Sequence, residues 1–451
     1  MVLTVLVPSM IPLTIGRTVA GEGGDEAAWP MFRADARHTG CSPFDVSGNG
    51  GGTKWRHEFD VEIDYSHKGS IAMGPDGTVY MASAVPSGII VIAPDGTHRQ
   101  ILEPGMGVFG LAMAANGTVY CFGTSEVRAM GPDGTHLWTL GLRSAITSIA
   151  SIGPDGTIFL GTEDGNLSAI SPSGALVWQF WTRYQVDCCP AIADDGTIYF
   201  VGVADDWALF ALHPNGTLKW TYTLLNATGD SAPAIGPDGT VYCYRTPDRL
   251  LAIAPNGTLR WSAEVAHGVF NDREAWCMVL FPVIAPDGTI YSGSIDGLYA
   301  IDPNGTVLWR ALQGREVWPS TVTADGTILV QAGGNVVAVD ASGRTRWRTD
   351  FGDFIVTELA VCPDGTIFFA TGFGYIALNG ARPAQPSWPR DSMLTIILLI
   401  AFVLVPLVAL MASRAGRKRG GSGDASGDHA DGTARGGPMG DRPPRPPAGP
   451  Q

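Results

Sequence analysis

Short runs of β-branched and aromatic residues recur along most of the chain, and each run ends at a cluster of Gly, Pro, Asp or Asn. Typical runs are VYCYR at 241–245, IYSGS at 290–294 and LYAID at 298–302. Runs of this length between turn residues predict short antiparallel strands joined by hairpins. No stretch before residue 392 has the periodicity of a long amphipathic helix. The pattern therefore predicts an all-β fold.

A turn that ends in Gly-Thr and is followed by Val or Ile occurs eight times at a nearly constant spacing. Its glycines stand at residues 77, 117, 156, 196, 239, 288, 326 and 365, so the period is 38 to 49 residues. Asp or Asn suits the position before the glycine, and Gly takes the left-handed conformation that the turn requires. A period near 40 residues with four short strands per unit is typical of propeller blades. The sequence therefore predicts an eight-bladed β-propeller.

A second turn alternates with the first and carries an Ala and a Trp at constant positions. In AIAPNGTLRW at 252–261, the Ala precedes the turn glycine by five residues and the Trp follows it by four, and five further copies keep this spacing. We expect the Ala on the third strand of each blade and the Trp buried in the seam between blades. The first blade has Val91 and Gln100 at these positions, which predicts a weaker seam. The predicted structural tryptophans are Trp55, Trp138, Trp178, Trp220, Trp261, Trp309 and Trp347.

The ring is predicted to close with a strand from the N-terminal side. GGTKWRHEF at 51–59 has the glycine-to-Trp step of an outer strand but precedes the first blade. The last unit supplies three strands and then runs into ARPAQPSWP, whose prolines cannot donate to a strand ladder. We expect the early strand to complete the eighth blade, which removes the last exposed edge. This assigns 21–50 to a lead-in segment and 51–388 to the propeller.

The repeats and the segment WPMFRADARHTGCSP at 29–43 together resemble the PQQ-like repeat family over residues 29–388. The segment is similar to the lead-in W-P-M-F-R-x-D-x-x-H-T-G of these propellers. The family includes quinoprotein alcohol dehydrogenases and the outer-membrane assembly lipoprotein of bacteria, so the resemblance implies an eight-bladed ring with tryptophan-docking motifs. In the quinoprotein motif, one more residue usually separates Ala from Gly. This difference favours the compact, non-enzymatic members.

The formal net charge of −14 is opposite to the basic profile of nucleic-acid-binding proteins, and no nucleic-acid partner is expected. Residues 1–20 are mostly apolar and end in Thr-Val-Ala, which predicts a signal peptide. The 19 apolar residues at 393–411 predict a transmembrane helix over 392–412. Basic residues follow directly, so the tail at 413–451, predicted to be disordered, is expected in the cytoplasm. The expected location is the cell membrane, in a single pass, with the propeller outside.

Cys188 and Cys189 are weak candidates for a cofactor contact. Quinoprotein dehydrogenases carry an adjacent-cysteine disulfide against their cofactor, so the resemblance implies PQQ with calcium as an alternative. However, CCPAIADDGT at 188–197 occupies the position that SAPAIGPDGT fills at 231–240, which favours a simple requirement for small residues. No calcium site, nucleophile elbow or P-loop appears in a suitable context. The chain is therefore expected to have no catalytic residue, metal ligand or cofactor.

Both turn series lie on one face of the predicted ring, so the connections between blades lie on the other. Counted from the outer-strand Trp to the next turn glycine, a connection is usually 17 to 19 residues, but it is 22 after Trp55 and 27 after Trp261. Polar and aromatic residues on long loops suit a binding surface, and solvated loop charge is the alternative. The binding-face candidates are Asp64, Tyr65, His67, Lys68, His267, Asn271, Asp272, Arg273, Glu274 and Trp276.

Six sequons are candidate glycosylation sites in an exported protein, although a hairpin alone favours the four N-G-T copies. They are Asn116, Asn166, Asn215, Asn226, Asn256 and Asn304. The main hypothesis is a membrane-anchored, extracytoplasmic, monomeric propeller that acts as a scaffold for other envelope or cell-surface proteins. The alternatives are a PQQ- and calcium-dependent quinoprotein dehydrogenase and a glycan-binding surface propeller.

Overall fold

The computed structural model describes residues 29–58, 71–84, 87–203, 206–224, 232–245, 249–265, 281–351, 355, 357–372 and 374–380. All of them belong to the first of two compact units, which spans 1–383, whereas the second spans 384–451. The predicted signal peptide, transmembrane helix and tail lie outside the described residues. Within those residues, no helix is long and apolar enough to cross a membrane.

Thirty-two strands in the described residues form eight four-stranded antiparallel sheets, which are the predicted blades. The inner strands are β2 (Ile71–Met73), β6 (Gly110–Met113), β10 (Ser151–Ile152), β14 (Ala191–Ile192), β18 (Ala234–Ile235), β22 (Val283–Ile284), β26 (Trp318–Val322) and β30 (Ala360–Val361). The second strands are β3 (Val79–Ala84), β7 (Val119–Phe122), β11 (Ile158–Gly161), β15 (Ile198–Val203), β19 (Val241–Arg245), β23 (Ile290–Ser294), β27 (Ile328–Gln331) and β31 (Ile367–Thr371). The third strands are β4 (Ser87–Ile92), β8 (Glu126–Met130), β12 (Asn166–Ile170), β16 (Trp207–Leu212), β20 (Arg249–Ile253), β24 (Gly297–Ile301), β28 (Asn335–Val339) and β32 (Gly374–Gly380). The outer strands are β1 (Gly52–Glu58), β5 (His98–Leu102), β9 (His136–Gly141), β13 (Leu176–Trp181), β17 (Leu218–Thr223), β21 (Leu259–Glu264), β25 (Val307–Ala311) and β29 (Thr345–Asp350).

Ring closure uses the N-terminal strand, as predicted. Blades 1 to 7 each consist of four consecutive strands, from β2–β5 to β26–β29, whereas blade 8 combines β30–β32 with β1. In the pairing of β1 with β32, Arg56 lies opposite Ile376 and Glu58 lies opposite Gly374. Lys54 on β1 also contacts Asp364 in the turn of blade 8, at 2.9 Å. The chain therefore fastens its first strand to its last blade.

The seam between blades 5 and 6 shows how the docking motif works. Ala252 lies opposite Trp261 on the neighbouring strand, and the Trp261 Nε1 donates to Pro303 O in the next blade at 2.8 Å. The turn glycine Gly305 approaches so closely that an added Cβ would stand 2.7 Å from the Trp261 ring. Tyr242 also contacts the indole, with ring centroids 5.8 Å apart. The motif therefore joins blades by packing, as expected, and by one hydrogen bond that the sequence did not predict.

The same arrangement recurs around the ring, with one correction to the expected burial. In four further seams, the indole Nε1 donates to a backbone carbonyl in a turn of the next blade, at 2.8 to 3.0 Å. The donors are Trp138, Trp178, Trp220 and Trp309. Of the seven predicted structural tryptophans, only Trp347 is buried, at 5% exposure. The other predicted tryptophans are half-buried, because the outer strands stand at the rim, where blades diverge. In blade 1, Leu102 instead of Gln100 contacts the next turn glycine, Gly134.

Apolar side chains fill the seams from the rim to the axis. Phe200 and Phe210 stack in blade 4 with ring centroids 4.9 Å apart. Cys121 and Cys243 on second strands are fully buried and belong to the core. The short inner strands are also buried and line a central channel, and this channel positions the site described next.

Candidate functional site

The ten predicted binding-face residues, from Asp64 to Lys68 and from His267 to Trp276, lie outside the described residues. They stay a prediction. The polar groups that the structure does bring together lie instead in the central channel.

Residues 29–44 of the lead-in segment run along the inner strands of the ring in blade order. Backbone amides of six inner strands, those of blades 1, 2 and 4 to 7, donate to its carbonyls at 2.6 to 2.9 Å. These pairs are Met73 with Trp29, Met113 with Pro30, Ile192 with Ala36, Ile235 with Arg37, Ile284 with Thr39, and Val322 with Gly40. In the remaining two blades, Ile152 N contacts Met31 Sδ, and Glu358 accepts from the Arg33 amide. The segment therefore contacts all eight blades.

Arg33 is the central polar side chain of this segment. Its guanidinium donates to Pro282 O at 3.2 Å, Pro319 O at 3.2 Å and Ser320 O at 3.0 Å. Its Nε lies 3.9 Å from a carboxylate oxygen of Glu358. The side chain is only 2% exposed, and burial lowers the Arg33 pKa from its ordinary value. One cation therefore links blades 6, 7 and 8 at the axis.

Glu358 is the anionic partner, just before the inner strand of blade 8. The Arg33 amide donates to its Oε2 at 2.9 Å, and the Trp29 side chain is a further hydrogen-bond partner. Burial raises the pKa of Glu358 to about 7, although Arg33 and these hydrogen bonds act in the opposite direction. The channel therefore holds a carboxyl group that titrates near neutral pH.

His38 makes the second set of buried polar contacts. Its Nδ1 lies 3.3 Å from Pro233 O, and its Nε2 lies 2.9 Å from Ser151 Oγ. Burial, assisted by the charge of Arg33, lowers the pKa of His38 to about 3. The imidazole is therefore neutral at physiological pH and connects blades 3 and 5 by hydrogen bonds.

The backbone of the lead-in is strained where these side chains enter the channel. Arg33, Ala34 and His38 have φ values of 61°, 69° and 57°, in the left-handed region that non-glycine residues rarely adopt. Each such residue typically costs about 1–2 kcal/mol. The surrounding hydrogen bonds with the blades must offset this strain, which indicates that the course of the segment is strongly determined.

The adjacent cysteines lie at the start of blade 4, next to the channel. Cys188 Sγ lies 3.0 Å from Val201 O and 2.9 Å from Val201 N on the second strand. Ser148 Oγ and Thr357 Oγ1 accept from the equivalent second-strand amides in blades 3 and 8, at 2.7 Å and 2.9 Å. The Cys188 thiol therefore takes the position of a hydroxyl that supports the second strand. This geometry agrees with the prediction that a small residue is required there.

The residues of the channel do not fit PQQ, a planar tricyclic quinone with three carboxylates. Phe32, Arg33 and His38 occupy the axis with at most 9% exposure. The Arg33 guanidinium already binds three carbonyls and lies 5.1 Å over the Phe281 ring, and Glu358 would repel a carboxylate beside it. Among the described residues, no three His, Cys, Asp or Glu side chains form a group suited to a metal ion.

Several sequons have structural roles in their turns. The side-chain oxygens of Asn116, Asn215 and Asn256 accept from the Thr amide two residues later, at 3.0 to 3.1 Å. Asn304 is exposed in its turn and Asn166 begins β12 half-buried. Asn226 lies outside the described residues. Glycosylation of these residues stays a prediction.

Sequence reasoning missed Arg33, His38 and Glu358 as a site. Arg33 and His38 stand in the lead-in motif, which was recognised only as a mark of the family. Glu358 precedes an inner strand in blade 8 without any repeated pattern around it. The one available signal was the presence of these two polar residues, Arg33 and His38, in the motif, since they could serve as buried polar contacts.

Comparison with protein families places the chain among known propellers. A sequence profile described as outer membrane protein assembly factor BamB matches residues 123–294 and 296–391, more than half of the chain. No curated protein sequence matches the chain.

Solved structures share the fold at low identity. A europium-containing methanol dehydrogenase is 14% identical with a TM-score of 0.62, over 78% of this chain and 91% of that one. BamB from Moraxella catarrhalis is 19% identical with a TM-score of 0.52, over 72% and 100%. The quinohemoprotein alcohol dehydrogenase from Comamonas testosteroni is 13% identical with a TM-score of 0.61, over 79% and 81%. These similarities establish the propeller fold and include both enzymes and a non-enzyme.

Proposed function

The chain belongs to the family of outer membrane protein assembly factor BamB, and we propose that it is a non-enzymatic scaffold that binds other envelope or cell-surface proteins. In this proposal the propeller stands outside the cytoplasm and is anchored by the segment 392–412. The apolar run at 393–411 and the basic residues after it support the anchor and its orientation.

The occupied channel is the observation that carries this proposal. Propellers of the PQQ-like family place a cofactor, when they have one, near the central channel. Here Arg33 and His38 fill that position and contact five blades. They reach backbone carbonyls in blades 5, 6 and 7 and side chains in blades 3 and 8, those of Ser151 and Glu358. Such a core gives the ring rigidity and leaves recognition to the loops between blades.

The loop face is the proposed binding surface. The turn face is built from short hairpins whose Asp and Asn side chains are used in capping the turns, as Asp76, Asp238 and Asp364 show. The two longest connections, at 59–70 and 266–280, lie outside the described residues and are expected on the opposite face, because each joins an outer strand to the inner strand of the next blade. Their polar and aromatic residues suit a protein partner, whose surface is typically recognised through Trp and Arg anchors.

Affinity capture of the full-length chain after cross-linking in intact cells tests the proposal. The wild type is compared with Arg273→Ala/Trp276→Ala on the loop face. The matched control is Asp194→Ala on the turn face, where the side chain is 86% exposed. We expect the wild type and the control to enrich the same envelope proteins and the loop variant to lose them. Enrichment that is absent, or indifferent to the loop variant, contradicts the scaffold role.

The quinoprotein alternative is supported by the propeller fold shared with dehydrogenases and by the buried pair Cys188 and Cys189. Two observations argue against this alternative. Arg33 and His38 already fill the channel, and the Cys188 thiol contacts the second strand in the way that a hydroxyl does in other blades. Glycan binding on the loop face is the third alternative, and a glycan array with the same two variants separates it from protein binding.

A further inference from the structure

Six Asn-Gly pairs occur in the chain, and they share a chemical weakness. Their asparagines are Asn49, Asn116, Asn215, Asn256, Asn304 and Asn379. Because glycine has no side chain, its amide nitrogen can reach the carboxamide carbon of a preceding Asn, and such pairs are prone to deamidation. The reaction requires the Asn side chain to turn towards its own backbone. A carboxamide that is held by hydrogen bonds is therefore protected.

Five of the six carboxamides are held in this way. Asn256 shows the arrangement in a turn, where its Oδ1 accepts from Thr258 N at 3.1 Å and from Thr258 Oγ1 at 2.7 Å. Asn49 and Asn379 instead donate through Nδ2 to atoms of blade 8, at 2.6 to 3.2 Å. Capping of the turn by the Asn side chain, a common role of this residue, occurs at Asn116, Asn215 and Asn256.

The turn of blade 6 is capped differently, because Asp302 takes the role of Asn304. Asp302 Oδ1 accepts from Thr306 N at 2.8 Å and from Asn304 N at 2.9 Å. The equivalent residue in blade 5 is Ala254, which has no side-chain acceptor, so Asn256 caps that turn. Among the described residues, no hydrogen bond holds the Asn304 side chain. Both asparagines are exposed, so access to water does not distinguish the two turns.

We propose that the pair of Asn304 and Gly305 is a site of spontaneous deamidation, and that Asn304 is the fastest of the six asparagines to react. The Gly305 amide nitrogen attacks Cγ of Asn304 and forms a C–N bond, while the Cγ–Nδ2 bond breaks and ammonia leaves with the amide proton. Water then opens the five-membered succinimide at one of its two carbonyls and leaves isoaspartate or aspartate. Water is the only other reactant.

The attacking nitrogen is restrained equally in the two turns. Gly305 N donates to Asp302 O at 2.9 Å, and Gly257 N donates to Ala254 O at 2.8 Å. Each turn must therefore open locally before its nitrogen can attack, and this step slows both sites relative to an unfolded peptide. The carboxamide remains as the difference, since Asn256 must also give up two hydrogen bonds.

Conversion of Asn304 alters the seam between blades 5 and 6. Pro303 O accepts from Trp261 Nε1 at 2.8 Å, and Gly305 stands against the same indole ring. Isoaspartate adds one carbon to the backbone between these two contacts, about 1.5 Å of chain, so both contacts cannot keep their positions. It also adds a carboxylate close to Asp302, which repels it. The modification weakens this seam and is independent of the proposed scaffold function.

Peptide mapping by mass spectrometry tests the site. The full-length chain is produced without N-glycosylation, because a glycan on Asn304 would block the reaction, and is incubated in mild detergent at mildly alkaline pH. Asn304 should convert about tenfold faster than Asn215 and Asn256 or more, given the strength of two ordinary hydrogen bonds. In denaturant the three P-N-G-T copies should convert at about the same rate, since their local sequence is the same. Equal rates in the folded protein overturn the proposal.

Reciprocal substitutions test the cause. Asp302→Ala reproduces the turn of blade 5, returns the capping role to Asn304 and should slow its conversion about tenfold. Ala254→Asp reproduces the turn of blade 6 and should accelerate conversion of Asn256 by a similar factor. Rates that are unchanged in both variants overturn the role of Asp302.

Circular dichroism of each variant establishes that the fold is retained. If Ala254→Asp unfolds, His213→Asp in blade 4 takes its place, with Asn215 as the reporter. Asn304→Gln tests the effect on the seam, because Gln cannot form the five-membered ring. The denaturant midpoint of the wild type should fall as the converted fraction rises, whereas that of Asn304→Gln should stay constant over the same incubation. Equal loss in both proteins contradicts the effect on the seam.

Discussion

Replacement of Arg33 by Met tests whether the lead-in segment holds the ring together. Methionine keeps much of the aliphatic length of Arg33 but removes every donor and the charge. The carbonyls of Pro282, Pro319 and Ser320 lose this donor, and Glu358 loses its cation. Because these contacts connect blades 6, 7 and 8, we expect the whole propeller to be destabilised.

The expected cost is about 4 kcal/mol of unfolding free energy. Removal of one member of a buried ion pair typically costs about 3–5 kcal/mol. Hydrogen bonds to a charged donor contribute about 1.5–3 kcal/mol each, but these contributions overlap with the ion pair and do not add.

The cost should also depend on pH. Burial raises the pKa of Glu358 to about 7 from an ordinary value of 4.5, so folding favours the protonated carboxyl. Its contribution to stability is present below pH 4.5 and is lost as pH rises through 7. Without Arg33 the pKa of Glu358 should rise further, because an attractive charge has been removed. The penalty of Arg33→Met should therefore be largest above about pH 8 and smaller near pH 5.

Denaturant unfolding followed by tryptophan fluorescence at the two pH values measures both effects. Arg37→Met is the matched control in the same segment. Arg37 pairs with the exposed Asp194 at 3.6 Å, and such a surface pair typically contributes less than about 1 kcal/mol. Arg33→Met/Glu358→Gln should recover part of the loss, since it removes the unpaired carboxylate. A cost for Arg33→Met no larger than that of Arg37→Met would refute the role of Arg33.

Three further predictions concern the seams, the cysteines and the anchor. Trp347→Ala should lower the unfolding free energy by about 4 kcal/mol and Trp261→Ala by about 2 kcal/mol, because only the first indole is buried. Denaturant melts measure both changes. Equal stability of the wild type and the variants contradicts the docking role. Cys188→Ser/Cys189→Ala should unfold within about 1 kcal/mol of wild type, because a hydroxyl suits the position, and a larger loss argues for a special role. Truncation after residue 390 should move the propeller from the membrane pellet to the soluble fraction, and retention in the pellet would reveal another anchor.

The blades were predictable because their information is local. The spacing from Ala252 to Gly257 to Trp261 is contained within ten residues, and the hairpin alone determines which strands become neighbours. Closure by β1 followed from counting, since one outer strand preceded the blades and one was missing at the end. The extent of burial was not predictable, because the position of an indole at the rim depends on how far the outer strands diverge.

The channel site was not predictable from the sequence for the opposite reason. Arg33 contacts Pro282 and Glu358, which are 249 and 325 residues away along the chain. No local periodicity encodes such contacts, and the left-handed backbone of Arg33 and His38 runs against their intrinsic preferences. Only closure of the ring brings these groups together.

Titration of the purified full-length chain with PQQ in the presence of Ca²⁺ tests whether the channel can hold the cofactor. Absorbance reports binding, and dye-linked alcohol oxidation reports turnover. Arg33, His38 and Phe32 occupy the channel, and we propose a non-enzymatic scaffold. We therefore expect neither stoichiometric binding of PQQ nor turnover above the protein-free rate. Binding of one PQQ per chain with sustained alcohol oxidation would contradict it.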